Sequence, residues 1–129
     1  MSIAIQTPRI HHLALRTSDL ARAKDFYQDM LGFQVVLEKP DVFIIVAGTT
    51  FIGFREATVQ SPDEKFNPFN IGLDHLALGC ESEAELYRVA QALAAANIEN
   101  TGVKMDQTLG KYYVSFKDPD RINWEFYMI

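Results

Sequence analysis

The sequence predicts an α+β fold made of two copies of one βαβββ unit, on three observations. The tetrapeptide His-Leu-Ala-Leu occurs twice, at His12 to Leu15 and at His75 to Leu78. Each copy is followed by a serine and a run of apolar residues at helical spacing. After each of those runs come segments with the alternation and turn punctuation of strands. A repeated supersecondary unit gives equivalent residues equivalent surroundings, so His12 and His75 are expected at matching places about a pseudo-twofold axis. Two histidines meeting there are the start of a metal site.

At 129 residues the chain has the length of one domain able to bury a core. Its two units, of about 60 residues each, are expected to share that core rather than to fold independently. Module one is placed at 8–57, a linker at 58–70 and module two at 71–129. An apolar content of 48% and a charged content of 22% are ordinary for a globular protein. No apolar run is long enough to cross a bilayer, so no membrane partner is expected. The start, Met1 to Thr7, lacks the basic and apolar stretches of a secretory signal, and the single cysteine, Cys80, has no internal partner, so the cytoplasm is the expected compartment. A net charge of -5 without a basic cluster argues against nucleic acid and leaves a small molecule as the expected partner.

Arg9 to Arg16 alternates as a strand, with Ile10, His12, Ala14 and Arg16 on one face and His11, Leu13 and Leu15 on the other. Ser18 reads as the N-cap of a helix whose apolar positions are Leu20, Ala23, Phe26, Tyr27, Met30 and Leu31, with Gly32 as its stop. Strands follow at Phe33 to Glu38, Val42 to Ala47 and Thr50 to Glu56, separated by Lys39-Pro40-Asp41 and Gly48-Thr49. In the linker, Phe66 and Phe69 are candidates to fold back over a pocket. The second copy opens with a strand at Leu73 to Gly79. Ser82 and Glu85 then form a capping box ahead of Leu86, Val89, Ala90, Leu93 and Ala94, and Asn97 ends that helix. Strands are expected near Ile98 to Thr101, Tyr112 to Phe116 and Trp124 to Met128, the last two joined by the turn Asp118-Pro119-Asp120-Arg121.

Alternation puts His75 opposite to Leu76 and Leu78, as it puts His12 opposite to Leu13 and Leu15. In the last strand Asn123, Glu125 and Tyr127 share a face, and Glu125 lies between the large residues Trp124 and Phe126. A carboxylate in that position reaches solvent, pairs with a base or binds a cation, because burying it unpaired is costly. Lys111, Tyr113 and Ser115 alternate onto one face of the preceding strand.

The segment HHLALRTSDLARAKDFYQDMLGF, the repeat DHLALGC and the ending SFKDPDRINWEFY together resemble the vicinal oxygen chelate superfamily of glyoxalases, bleomycin-resistance proteins, extradiol dioxygenases and fosfomycin-resistance thiol transferases. The resemblance covers nearly the whole chain. It implies two modules whose eight strands curl into an incomplete barrel, with a metal inside and ligands from the first and last strand of each module. Carried over, those positions are His12, His75 and Glu125, while the fourth is Gly53, which has no side chain to ligate with. Glu56 lies on the opposite face and would need a bulge to serve instead. Arg121 stands where the family usually has a glycine, which implies an altered or strained turn.

Two histidines and a carboxylate suit one divalent ion per site, with Fe, Mn, Zn and Ni all compatible. Open coordination positions then accept an oxygen-rich substrate. A dioxygenase or a thiol or water transferase fits three ligands, whereas the glyoxalase I type of reaction normally uses a fourth. The resemblance also places Lys111, Tyr113 and Ser115 along a substrate cavity, with Lys111 and Tyr113 as candidates to hold or protonate an anionic oxygen; a solvated polar rim is the alternative. Arg16 and Arg55 are weaker candidates for the same substrate-binding role, with a solvated position as the alternative for both. A homodimer is expected, because an incomplete barrel leaves edges that relatives cover with a second chain. The rival function is a metal-free drug- or ligand-binding protein of the bleomycin-resistance type.

Overall fold

Each copy of the repeat forms a four-stranded mixed sheet with helix on one face. The structure, a computed structural model, describes all residues from Met1 to Ile129. The chain divides into two units, Met1–Val59 and Gln60–Ile129, giving the α+β fold expected from the repeat.

The first unit contains β1 (His12–Thr17), α1 (Leu20–Lys24), a π-helical turn (Asp25–Met30), β2 (Gln34–Lys39), β3 (Val42–Ala47) and β4 (Thr50–Glu56). Its sheet has the order β1-β4-β3-β2, with β1 parallel to β4 and the other pairs antiparallel. Pairing in register puts Phe43, Ile45, Ile52 and Phe54 on one face, where they are buried together with Ala23, Phe26 and Tyr27. The Tyr27 and Phe54 rings lie 4.4 Å apart and the Phe43 and Phe54 rings 4.7 Å apart. Each such burial is worth about 1.5–3 kcal/mol, which holds a helix too short to persist alone.

The start of α1 differs from the sequence expectation. Asp19, not Ser18, is the N-cap, accepting from the Arg22 N–H at 3.0 Å, while the Ser18 hydroxyl accepts from the Arg22 guanidinium at 2.7 Å. Aspartate and serine cap about equally well, so adjacent candidates cannot be ranked by type. The helix also widens, with the Leu31 N–H reaching the Phe26 carbonyl five residues back at 2.9 Å. That widening turns Met30 outward to 52% exposure, although regular spacing placed it in the core.

The second unit contains β5 (Leu76–Cys80), α2 (Glu83–Ala95), β6 (Asn100–Asp106), β7 (Lys111–Lys117) and β8 (Asn123–Met128), in the sheet order β5-β8-β7-β6. Again the first strand runs parallel to the last. Trp124, Val114 and Phe116 are buried on one face, and Leu86, Ala90 and Leu93 of α2 are buried with them. Ser82 caps α2 by accepting from the Glu85 N–H at 3.1 Å. The reciprocal half of the capping box is not made, because the Glu85 carboxylate takes the Arg88 guanidinium at 2.8 and 2.6 Å. Asn97 stops the helix in the left-handed region at φ 57.

Three strand limits move by three residues or more. β1 begins at His12 rather than Arg9, β5 begins at Leu76 rather than Leu73, and β6 runs to Asp106 rather than ending at Thr101. An irregularity between Asn100 and Val103, with Gly102 at φ 67, breaks the alternation that would have revealed the longer strand. Ahead of β8, the Asp118 carboxylate accepts from the Asp120 N–H at 2.9 Å and the Ile122 N–H at 2.8 Å. Arg121 adopts φ 69 in that turn and pairs with Glu99 at 2.8 Å, so the chain does use a left-handed turn residue without glycine. In the linker Phe66 is half-buried, its N–H bonded to the Asp120 carbonyl at 2.9 Å, whereas Phe69 is 92% exposed and covers nothing. No helix is long and apolar enough to cross a membrane.

Candidate functional site

The face of each sheet that does not bury the helix carries the chemistry-bearing residues. In the second unit, register pairs Ala77 with Glu125 and Glu125 with Ser115, then Gly79 with Tyr127 and Tyr127 with Tyr113. Glu125, Tyr127, Tyr113 and Ser115 therefore share one face. His75 immediately precedes β5 and brings its Nε2 to 3.4 Å from Glu125 Oε1. Its other ring nitrogen, Nδ1, lies 2.7 Å from Asp74 Oδ1.

A separation of 3.4 Å is long for a charge-assisted hydrogen bond. Two donors sharing one ion at metal–ligand distances of about 2.0–2.2 Å, near right angles or slightly wider, stand about 3–3.5 Å apart. The pair thus stands at a spacing compatible with two adjacent ligands of one cation as well as with a direct ion pair. Glu125 is mostly buried, with a side-chain exposure of 18%. Loss of solvent pushes its carboxyl above the usual range; His75 opposes this, while Asp106 and Asp74 push the same way. A cation at the pair would relieve that strain on the charged form.

Beside the pair, the Tyr127 hydroxyl donates to Asp106 Oδ2 at 2.6 Å. This bond holds the Asp106 carboxyl below its ordinary value, with the Thr108 N–H adding to the effect. Loss of solvent and the Asp106 contact push the Tyr127 hydroxyl up to about 12, so it stays protonated as a donor. Tyr113 stacks on Tyr127 with ring centroids 5.9 Å apart. Lys111 is exposed at the start of β7, opposite Asp106.

In the first unit, register pairs His12 with Phe51, Ala14 with Gly53 and Arg16 with Arg55. Comparing the repeats, His12 and Ala14 correspond to His75 and Ala77, so Gly53 occupies the place of Glu125. The glycine is not forced by backbone strain or crowding, since an added Cβ would meet only ordinary contacts at 3.8 and 3.9 Å. Glu56 does not substitute for it, because its Oε1 accepts from the Leu20 N–H at 3.0 Å and helps start α1. Arg16 is tied at the end of the sheet, donating to the Glu56 carbonyl at 2.9 Å. His12, Ala14, Ile44, Gly53 and Arg55 line an open, mostly apolar cavity of about 580 Å³.

His11 departs from the sequence reading. It precedes β1, so strand alternation does not govern its direction, and its Nδ1 lies 2.9 Å from His12 Nδ1. No three His, Cys, Asp or Glu side chains are grouped as a ready metal site; the second unit offers two donors and the first offers His12. Sequence reasoning did not single out Asp74, Asp106 or His11. Asp74 and His11 each immediately precede a repeated histidine, a signal that was available. Asp106 lay beyond the expected end of β6.

The model of the Glyoxalase/Bleomycin resistance protein/Dioxygenase superfamily matches residues 9–126 of this chain. The uncharacterized protein YwkD of Bacillus subtilis (strain 168) is 31% identical over 127 residues, spanning 92% of this chain and 94% of its own. A lactoylglutathione lyase of Haemophilus influenzae is 28% identical over 130 residues, spanning 92% and 90%. Among solved structures, a glyoxalase family protein from Enterococcus faecalis is similar with a TM-score of 0.76 at 28% identity, covering 93% of this chain and 97% of that one.

Proposed function

The chain belongs to the glyoxalase/bleomycin resistance protein/dioxygenase superfamily, and from that premise we propose that it is a metal-dependent enzyme acting on an oxygen-rich small molecule, with His75 and Glu125 of the second unit as ligands of a divalent ion and His12 as the first unit's equivalent donor. The observation that carries this reading is the 3.4 Å approach of His75 Nε2 to a desolvated Glu125, with Asp74 behind the imidazole. A divalent ion bound there supplies a Lewis acid to a ligated substrate oxygen, and imidazole with carboxylate suits Fe, Mn, Zn or Ni. The protein's own groups bind and orient. Ser115 and Tyr113 present hydroxyls beside Glu125 and Tyr127, and Lys111 adds a positive charge at the strand end for an anionic oxygen. Tyr127, held by Asp106, keeps its proton on the hydroxyl.

Gly53 and the engagement of Glu56 at α1 leave the first unit without a second carboxylate donor. This favours a dioxygenase or a thiol or water transferase over the reaction named for the Haemophilus influenzae relative. A metal-free ligand-binding protein is the second reading, supported by the apolar cavity of about 580 Å³ in the first unit, a size that accommodates a drug-like molecule. Metal analysis of protein purified without chelator, then reconstituted with each of the four ions, tests the first against the second. About one ion per chain is expected, with loss of the ion in folded His75→Ala and Glu125→Ala and retention in Lys111→Met and Tyr113→Phe. A wild type that takes up none of the four ions overturns the enzyme reading and leaves the binding protein.

A further inference from the structure

The two repeats share a feature that the ligand assignment does not use. In each, the residue immediately before the repeated histidine touches that histidine at Nδ1: His11 at 2.9 Å from His12, and Asp74 at 2.7 Å from His75. Each partner lies outside its strand, His11 by one residue and Asp74 by two, where the side chain is free of alternation. His11 is steadied in turn by Phe51, with ring centroids 5.8 Å apart and the Phe51 N–H on the His11 carbonyl.

We propose that His11 and Asp74 are repeat-equivalent positioning residues, each accepting the Nδ1 proton of the histidine that follows and so leaving Nε2 as its bare, ligating nitrogen. The ligating half of this statement rests on the metal reading above; the positioning half does not. In the second unit the polarity is dictated, since a carboxylate only accepts and His75 Nδ1 must donate. In the first unit one proton lies between two ring nitrogens, and the matching polarity makes His11 the acceptor, protonated on its own Nε2. The two copies then differ in strength. Asp74 holds with a full negative charge and His11 with a neutral lone pair, so the second unit carries the more strongly oriented imidazole.

Ring-nitrogen NMR of 15N-histidine-labelled, metal-free protein tests the positioning half. Wild type is expected to show Nδ1 protonated and Nε2 bare in both His12 and His75. In His11→Ala and Asp74→Ala, the following histidine should shift toward the Nε2–H form that free imidazole favours. His11→Asp, which places the second repeat's residue in the first, should restore the fixed form. Competition for Zn(II) against a chelator then tests the ligating half. Affinity should fall about ten- to a hundredfold in the alanine variants, more for Asp74→Ala than for His11→Ala, with recovery in His11→Asp. Unchanged ring tautomers in both alanine variants overturn the proposal. Fixed tautomers in a wild type that binds no Zn(II), Fe(II), Mn(II) or Ni(II) support the positioning roles and overturn the metal reading instead.

Discussion

Replacing Asp118 by alanine should destabilise the second unit far more than a turn substitution normally does. The carboxylate is 6% exposed and accepts two backbone N–H groups, those of Asp120 and Ile122, at 2.9 and 2.8 Å. Hydrogen bonds to a charged group contribute about 1.5–3 kcal/mol each, and stranding a buried N–H costs about as much. The two bonds share one oxygen and are not independent, so a loss of about 3–4 kcal/mol is expected. Asp118→Asn keeps an oxygen acceptor and loses only the charge, for a cost of about 1–2 kcal/mol. At about 3–5 °C per kcal/mol for a chain of this size, alanine should lower the Tm by about 9–20 °C and asparagine by about 3–10 °C. Urea titration followed by the emission of the single tryptophan, Trp124, reports this unit directly, because the indole is fully buried. An alanine variant within 1 kcal/mol of wild type, or an asparagine variant equally damaged, would refute the argument from acceptor geometry.

Arg121 sits at φ 69, a strain that glycine removes, while its ion pair to Glu99 is half-exposed and screened by solvent. Arg121→Ala, which loses the pair and keeps the strain, should therefore be less stable than Arg121→Gly by about 1 kcal/mol in the same urea assay; equal stability would mean the left-handed backbone costs nothing here. Tyr127→Phe should let the Asp106 carboxyl titrate nearer its ordinary value, as read by carboxyl carbon NMR. A depressed folded pKa gives stability that is present above the unfolded pKa and lost as the pH falls through the folded one. The deficit of Tyr127→Phe against wild type should thus be largest near neutrality and shrink in acid. An Asp106 titration identical in both proteins would show that the phenol is not its partner.

Periodicity made the elements legible where each strand keeps one buried face. The limits of β3 and β4 agree to the residue with the runs read from Val42 to Ala47 and Thr50 to Glu56. Legibility failed where local geometry breaks the period. The π-helical turn sent Met30 outward, and the irregularity around Gly102 hid the far half of β6 together with Asp106. In the candidate site, alternation placed Tyr113 with Ser115 on one strand and Glu125 with Tyr127 on the next, whereas their sharing one face is set by the register between the strands. His11 could not be read that way, because a residue outside a strand has no obligatory side. The Asp118 carboxylate was legible as a turn residue, but its two backbone partners depend on how the chain closes around it.

In both units the first strand lies parallel beside the last, so β5 meets β8 across nearly the whole length of the second unit's sequence. Pairings of such high sequence separation carry the largest loop-closure entropy and form late in folding. His75 and Glu125 stand on either side of that final seam. An ion held between them would therefore bind only weakly to a chain whose last strand has yet to dock, and most of its binding free energy would go to the completed sheet. The seam that is hardest to close by diffusion is thus the one a bound cation would bolt, slowing the departure of β8 more than it speeds its arrival.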